Sequence, residues 1–326
     1  MDYSPRFGQA GRRAVRRERR RAEGRENGVL DGFRTTRIDT GEAEIAVAVA
    51  GSGPPLLLLH GFPQTHVMWH RVAPALSEDF TVVLSDLRGY GASSRPPATA
   101  DHRPYGKRAM ARDQVEVMRR LGFPAFAVAG HDRGGRCAYR MALDHPERVR
   151  ALAVLDIVPT LDAYERVDAD LAHGLWRWFL MAQRHPIPER IIAADPETFF
   201  FGTGSEVFAP EALAAYRAAV ARPGAVQAMC EDYRAASTVD RADDAADRGR
   251  RRIRCPVLAL WGARSTVHAW YDVLAVWRRW AEDVRGAALD SGHFLAEEAP
   301  EATTRHLRAF LTATARPPMP HTSGGR

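Results

Sequence analysis

The chain has 326 residues, with 46 Lys and Arg against 40 Asp and Glu, for a formal charge of +6. That length suits one large α/β domain carrying an insertion, or two ordinary domains. Nine arginines against four acids fall within residues 1–27, so nearly all of the positive excess sits in one tail, with no aromatic interleaving to suggest nucleic-acid binding.

Residues 12–21 hold too few apolar side chains to pack, so 1–27 reads as a disordered basic tail, an incidental extension. Nothing apolar follows the N-terminal charges as a secretory signal would require. No run reaches the roughly 18 apolar residues of a membrane span. Cys137, Cys230 and Cys255 form an odd, sparse set without metal spacing, which suits a reducing cytoplasm. Lys107 is the single lysine; arginine supplies the remaining positive charge.

In chain order, residues 33–39 and 43–50 read as a β-hairpin joined around Thr40-Gly41-Glu42. Pro55-Leu56-Leu57-Leu58-Leu59 and Thr81-Val82-Val83-Leu84 are continuous apolar runs, as expected of strands buried on both faces. Helical periodicity covers 107–121 and stops at Gly122-Phe123-Pro124. A strand at 125–129, a helix at 134–144 and a strand at 151–155 follow. From Pro159 to about Arg252 the strand rhythm gives way to helices rich in Trp, Phe, Ala and Arg. It resumes at Pro256-Val257-Leu258-Ala259-Leu260-Trp261, then a helix at 270–281, a short strand at 284–289 and a last helix at 300–312. Alternation at this spacing predicts an α/β fold, a mostly parallel doubly wound sheet with an inserted helical cap domain. The boundaries are a tail at 1–27, a core at 28–158, the cap at 159–252, the second part of the core at 253–313, and a disordered tail at 314–326. An insertion at the C-terminal ends of the strands would lie over the site as a lid.

Gly130-His131-Asp132-Arg133-Gly134-Gly135-Arg136 follows the strand at 125–129 and opens a helix. This is the shape of a nucleophile elbow, G-x-Nuc-x-G, whose sharp turn lifts one side chain above a sheet. The nucleophile position holds Asp132. A serine there attacks acyl carbonyls; a carboxylate attacks saturated carbon, expels a leaving group and leaves an alkyl ester. The competing reading is a degraded serine in an inactive hydrolase. Ser291-Gly292-His293-Phe294 follows the last strand, where this fold places its base, so His293 is expected to take a proton from the water that opens the ester. A third group must orient the imidazole. The loop Gly262-Ala263-Arg264-Ser265-Thr266 has no carboxylate, and Asp156, which ends the strand at 151–155, is assigned instead, with Asp272 as runner-up. His60-Gly61-Phe62-Pro63 follows the Leu56–Leu59 run. Backbone N–H groups of Phe62 and Arg133 are expected to form the oxyanion hole. Asp86-Leu87-Arg88-Gly89-Tyr90-Gly91 reads as a structural turn.

These motifs resemble the α/β-hydrolase superfamily, specifically its haloacetate (fluoroacetate) dehalogenases. The likeness spans most of 33–312. It rests on His60-Gly61-Phe62-Pro63-Gln64-Thr65, the elbow, Asp144-His145-Pro146, Leu155-Asp156-Ile157-Val158-Pro159-Thr160, Cys230-Glu231-Asp232-Tyr233-Arg234 and Ser291-Gly292-His293-Phe294-Leu295-Ala296-Glu297-Glu298. The resemblance implies a small haloacid substrate, no cofactor and no metal, no nucleic-acid or membrane partner, a cytoplasmic enzyme, and the homodimer common in the family. It assigns the substrate carboxylate to Arg133 and Arg136, and an arginine fork does match a carboxylate bidentately. It assigns the leaving halide to a His, a Trp and a Tyr of the cap. Trp178 and Tyr233 match, and Arg177 stands at the His position. Arginine brings five N–H donors, so Arg177 could replace that His, and haloacid hydrolysis is a firmer expectation than fluoride release. Residues 199–204 depart from the family pattern.

Two other functions remain open on sequence. An epoxide hydrolase shares the Asp nucleophile and His base and needs cap tyrosines, for which Tyr164, Tyr216 and Tyr233 are available. Neutral epoxides gain nothing from Arg133 and Arg136. A ligand-binding receptor on a hydrolase scaffold would leave Asp132, Asp156 and His293 without a use.

Overall fold

The computed structural model describes residues 29–202 and 204–315. The tail at 1–27 and nearly all of that at 314–326 lie outside these residues, as does Thr203.

Among the described residues eight strands form one sheet: β1 (Arg34–Asp39), β2 (Glu44–Ala50), β3 (Pro55–Leu59), β4 (Thr81–Ser85), β5 (Phe126–His131), β6 (Val149–Leu155), β7 (Val257–Gly262) and β8 (Val284–Leu289). They lie in the order β1-β2-β4-β3-β5-β6-β7-β8. The hairpin β1–β2 is antiparallel, and β2 meets β4 antiparallel; every pair from β4 through β8 is parallel. The strands that read as unbroken apolar runs are the central ones. Leu56, Leu57, Leu58 and Leu59 are fully buried and pair with Val82, Val83, Leu84 and Ser85 on one side and with residues of β5 on the other. Burial on both faces removes any need for polar alternation.

The helices Lys107–Arg120, Asp132–Asp144 and Pro300–Ala315 cover the sheet. Between β6 and β7, helices from Thr160–Glu165 to Arg241–Asp247 form a layer over the strand C-termini. Asp244 ties that layer down, accepting from the Tyr139 hydroxyl at 2.7 Å, from Arg140 Nη2 at 2.7 Å and from the Leu161 N–H at 3.0 Å. None of the described helices is long and apolar enough to cross a membrane.

Strand and helix ends shift by one or two residues, among them the elbow helix, which starts at Asp132, and two elements differ more. The single helix expected at 270–281 is two, Thr266–Trp270 and Val273–Arg278. Asp272 breaks it by capping the second piece, its Oδ1 accepting from the Ala275 N–H at 3.0 Å. The last helix runs on to Ala315, past the end expected at 312 and the core boundary expected at 313.

Candidate active site

Four parallel strands deliver the site. β3 hands over His60-Gly61-Phe62, β5 leads into Asp132 and β6 into Asp156, and β8 leads to His293. The C-terminal edge of a parallel sheet is where α/β folds bind ligands.

The elbow is a sterically forced turn. A Cβ on Gly130 would sit 2.4 Å from the Gly134 carbonyl oxygen, and one on Gly134 would sit 2.5 Å from that of His60. Only glycine lets the helix start that close to β3 and β5. The same turn holds Asp132 at φ +43°, a left-handed conformation costly for a carboxylate side chain and often found where function requires it. Asp132 is 6% exposed, and its Oδ2 accepts from the Phe62 N–H at 3.0 Å. Burial opposes its ionisation, yet His293, His131, Arg133 and Arg136 outweigh burial and hold its carboxyl below the ordinary value.

His293 Nδ1 lies 2.7 Å from Asp156 Oδ2, so Asp156 is the carboxylate paired with the imidazole. The other oxygen, Oδ1, accepts from the Gly262 N–H at 2.9 Å and the Ser265 hydroxyl at 2.7 Å. Asp272, the runner-up, is spent as a helix cap. Burial lowers the basicity of His293, but the hydrogen bond and charge of Asp156 and the charge of Asp132 more than compensate, leaving its pKa raised above 6.5.

The three residues open on a cavity of about 280 Å³. Phe62, Arg136, Ile157 and Val158 line it from the core; Arg177, Trp178, Phe200 and Tyr233 close it from above. Arg136 lies with its guanidinium 4.7 Å over the Trp178 ring. Its Nη1 donates to the Val158 carbonyl and the Thr160 hydroxyl, both at 3.1 Å, and its Nε is buried without a partner. Arg133 behaves differently. It is completely buried beneath Tyr233, does not line the cavity, and is gripped by Asp232. Arg177 reaches the cavity wall, while its Nε donates to the Phe199 carbonyl at 2.9 Å and its guanidinium rests over Trp176.

A model of the α/β-hydrolase fold matches residues 54–300. The fluoroacetate dehalogenase of Burkholderia sp. is 46% identical over 291 residues, covering 87% of this chain and 95% of that protein. The chain belongs to the α/β-hydrolase family, in its haloacetate dehalogenase branch. The soluble epoxide hydrolase of Corynebacterium sp. is 33% identical over 77% of this chain and 88% of its own length. A solved α/β-hydrolase structure from Nostoc sp. PCC 7120 superposes with a TM-score of 0.85 at 50% identity, over 87% of this chain and 99% of that one.

Several parts of this α/β-hydrolase site escaped the sequence reading. Ser265 lies in the loop that lacks a carboxylate, and it binds the acid that replaces one. His131 Nε2 contacts the His293 carbonyl oxygen at 2.8 Å, and burial with the nearby His293 pushes the His131 pKa down to about 4. A neutral His131 can therefore donate to that oxygen and pin the loop. Glu298 accepts from the N–H groups of Gly292 at 2.6 Å and Phe294 at 2.9 Å, bracketing His293. The trailing Glu297-Glu298 pair was part of the motif, but nothing in its spacing announced this task. Of the tyrosines considered for epoxide opening, Tyr216 is bonded to Glu297 at 2.5 Å and Tyr164 packs behind Trp178; of these three, Tyr233 alone lines the cavity.

Proposed function

We propose that the protein is a hydrolytic dehalogenase that converts a small 2-haloacid to the 2-hydroxyacid and halide. The observation that carries this is the pairing of an anionic carboxylate at the elbow with a buried arginine, Arg136, across one small cavity. Two carboxylates a few ångströms apart repel strongly, so an anionic nucleophile can approach an anionic substrate only where a cation neutralises it. An epoxide needs no such cation.

Because Oδ2 of Asp132 is engaged by Phe62, Oδ1 is the attacking atom. It forms a C–O bond to C2 of the haloacid as the carbon–halogen bond breaks and the halide departs with the bonding pair. Arg136 binds the substrate carboxylate, while Arg133, expected beside it, is held behind the cavity wall and contributes its charge from there. Trp178, Tyr233 and Arg177 donate to the leaving halide. In the second half-reaction His293, oriented by Asp156, takes a proton from water, and the resulting hydroxide adds to the Asp132 ester carbonyl. The oxygen already held by the Phe62 N–H becomes the oxyanion, with the Arg133 N–H as second donor. Collapse breaks the bond from the Asp132 carbonyl carbon to the alkoxide oxygen, which takes the proton held by His293 and leaves as the hydroxyacid, while the re-formed Asp132 acid loses its proton to solvent and returns to the carboxylate.

Unpaired Cys137, Cys230 and Cys255 support a reducing, cytoplasmic setting. Exposed Trp176, Ile187 and Ile191 on the cap support the homodimer usual in this family, which sedimentation would check.

The deciding experiment is halide release from chloroacetate, bromoacetate and fluoroacetate in parallel, with Asp132→Asn as control. We expect chloride and bromide from the native protein and none from the variant. Fluoride among the products would support Arg177 in the halide pocket. Diol formation from epoxides without any halide release would replace this reading with the epoxide hydrolase one.

A further inference from the structure

Arg133 carries a full charge yet stands behind the cavity wall, with only Nη1 lacking a hydrogen-bond partner. Its other edge is occupied. Nε donates to Asp232 Oδ2 at 2.8 Å, and Nη2 donates to Asp232 Oδ1 at 2.5 Å and to the Asp232 carbonyl at 3.0 Å. This fork fixes the plane of the guanidinium, which lies 4.4 Å over the ring of Tyr233. The Asp232 carboxylate accepts two further donors: the Tyr90 hydroxyl on Oδ2 at 2.8 Å, and the Lys107 ammonium on Oδ1. Arg133, Lys107, Tyr90 and Asp232 are all buried.

An Asp–Arg pair alone is electrically neutral, and a neutral pair attracts a substrate carboxylate weakly. Lys107 changes that balance, because a second cation on Asp232 leaves one positive charge over. Asp240 is the remaining acid beside it. Its Oδ1 accepts the Lys107 backbone N–H at 2.8 Å, and its Oδ2 lies 4.0 Å from the Lys107 ammonium. The ammonium is in direct contact with Asp232 and farther from Asp240, so Asp240 has the weaker claim on that charge. The chain keeps its only lysine at this buried position, although arginine serves everywhere else. A compact ammonium fits beside a carboxylate already forked by an arginine; a second guanidinium would not.

We infer that Asp232 and Lys107 are positioning residues for carboxylate recognition: Asp232 orients the Arg133 guanidinium, and Lys107 offsets Asp232 so that the Arg133 charge stays uncompensated toward the cavity. The inference rests on the haloacid reading. The clamp also joins the two layers. Asp232 belongs to the cap helix Ala225–Ala235, whereas Lys107 opens the core helix Lys107–Arg120 and Tyr90 follows β4. The anion site is thus complete only when the cap is seated.

The test compares Lys107→Met and the double variant Lys107→Met/Asp232→Asn with the parent. Lys107→Gln serves where the methionine variant fails to fold. Two substrates of the same shape are used, anionic chloroacetate and neutral chloroacetamide. Alkylation of the Asp132 peptide is followed by mass in a His293→Gln background, and binding of the product glycolate by calorimetry. Lys107→Met should raise the half-saturating chloroacetate concentration, and weaken glycolate binding, by about tenfold or more, while chloroacetamide alkylation stays within about twofold. The double variant should recover much of the chloroacetate affinity, because the neutral amide that replaces the Asp232 carboxylate no longer cancels Arg133. A merely structural clamp predicts the opposite pattern, with both substrates impaired alike and the double variant worse than the single. Either that pattern or an unchanged chloroacetate response overturns the inference. Failure of the parent to be alkylated by either compound would sink the haloacid reading separately. Glycolate binding then still decides the clamp: weakened affinity in Lys107→Met upholds it, and unchanged affinity removes it.

Discussion

The proposed chemistry turns on how two acids and one imidazole divide the work. Asp132 must be ionised to attack, and its surroundings depress its pKa; His293 must be neutral to act as base, and its surroundings raise its pKa. Protonation of His293 therefore sets the acid limit. Ester hydrolysis should fall as pH drops through the His293 pKa, which Asp156 still raises once Asp132 is esterified, while alkylation of Asp132 continues at the same pH. Rapid quenching at low pH should then catch the ester as added mass on the Asp132 peptide. Asp156→Asn removes the charge that helps raise the His293 pKa and leaves at most a neutral hydrogen bond in its place. It should move the acid limb of the kcat profile to lower pH and reduce the plateau by about 10²- to 10⁴-fold. A limb that stays in place would mean that Asp156 does not set the His293 protonation. The meeting of Asp132, His293 and Asp156 at one cavity was legible in sequence because each sits at a strand end that the apolar runs locate. The partners that set their pKa values were not, since Ser265, His131 and Glu298 reach the site only through tertiary contacts.

Among the elements, the turn between β5 and its helix is the least tolerant of change. A Cβ on Gly134 would approach the backbone of Leu59 and His60 to within 2.5–2.6 Å, and those atoms belong to β3 and the Phe62 loop. Gly134→Ala should therefore push the elbow helix away from β3, costing about 1–3 kcal/mol. It should also loosen the Phe62 N–H contact with Asp132. Thermal unfolding and turnover should both register the change; a variant of native stability and native kcat would show that the packing there is slack. The elbow could be read from its glycine spacing because glycine is the only residue that fits. The split at Tyr271-Asp272 could not, since periodicity carries through a capping aspartate that remains compatible with helix on both sides. The engagement of Arg133 was equally hidden: an elbow arginine reads the same in sequence whether it faces the cavity or a buried aspartate about a hundred residues on.

Across the whole molecule, the cap and core meet at a second buried acid. Glu297 lies in the helical turn Leu295–Glu298, just after His293, and its Oε1 accepts from the Tyr216 hydroxyl of the cap at 2.5 Å and from Gln64 Nε2 at 3.4 Å. Its Oε2 is buried without a hydrogen-bond partner, 3.8 Å from His70 Nδ1, and Arg71 Nη1 is turned to the Glu297 carbonyl rather than to its carboxylate. Burial lowers the pKa of His70, so it offers little charge in return. Burial pushes the Glu297 carboxyl up to about 7, from an ordinary value of 4.5. A carboxyl whose folded pKa is raised favours the folded state while it is protonated. Its contribution is complete below 4.5 and is lost as pH rises through about 7. The magnitude is on the order of 3 kcal/mol. His293, also raised, acts in the same direction, so the native protein alone would not separate them. Glu297→Gln does, because its amide oxygen still accepts from Tyr216 and never ionises. Melting temperatures measured at intervals from about pH 5 to about pH 8 should fall more steeply for the native protein than for Glu297→Gln, with the variant the more stable at the alkaline end. Parallel curves would mean that Glu297 is already ionised in the folded protein, and that the cap is held by a charged contact rather than by a neutral one.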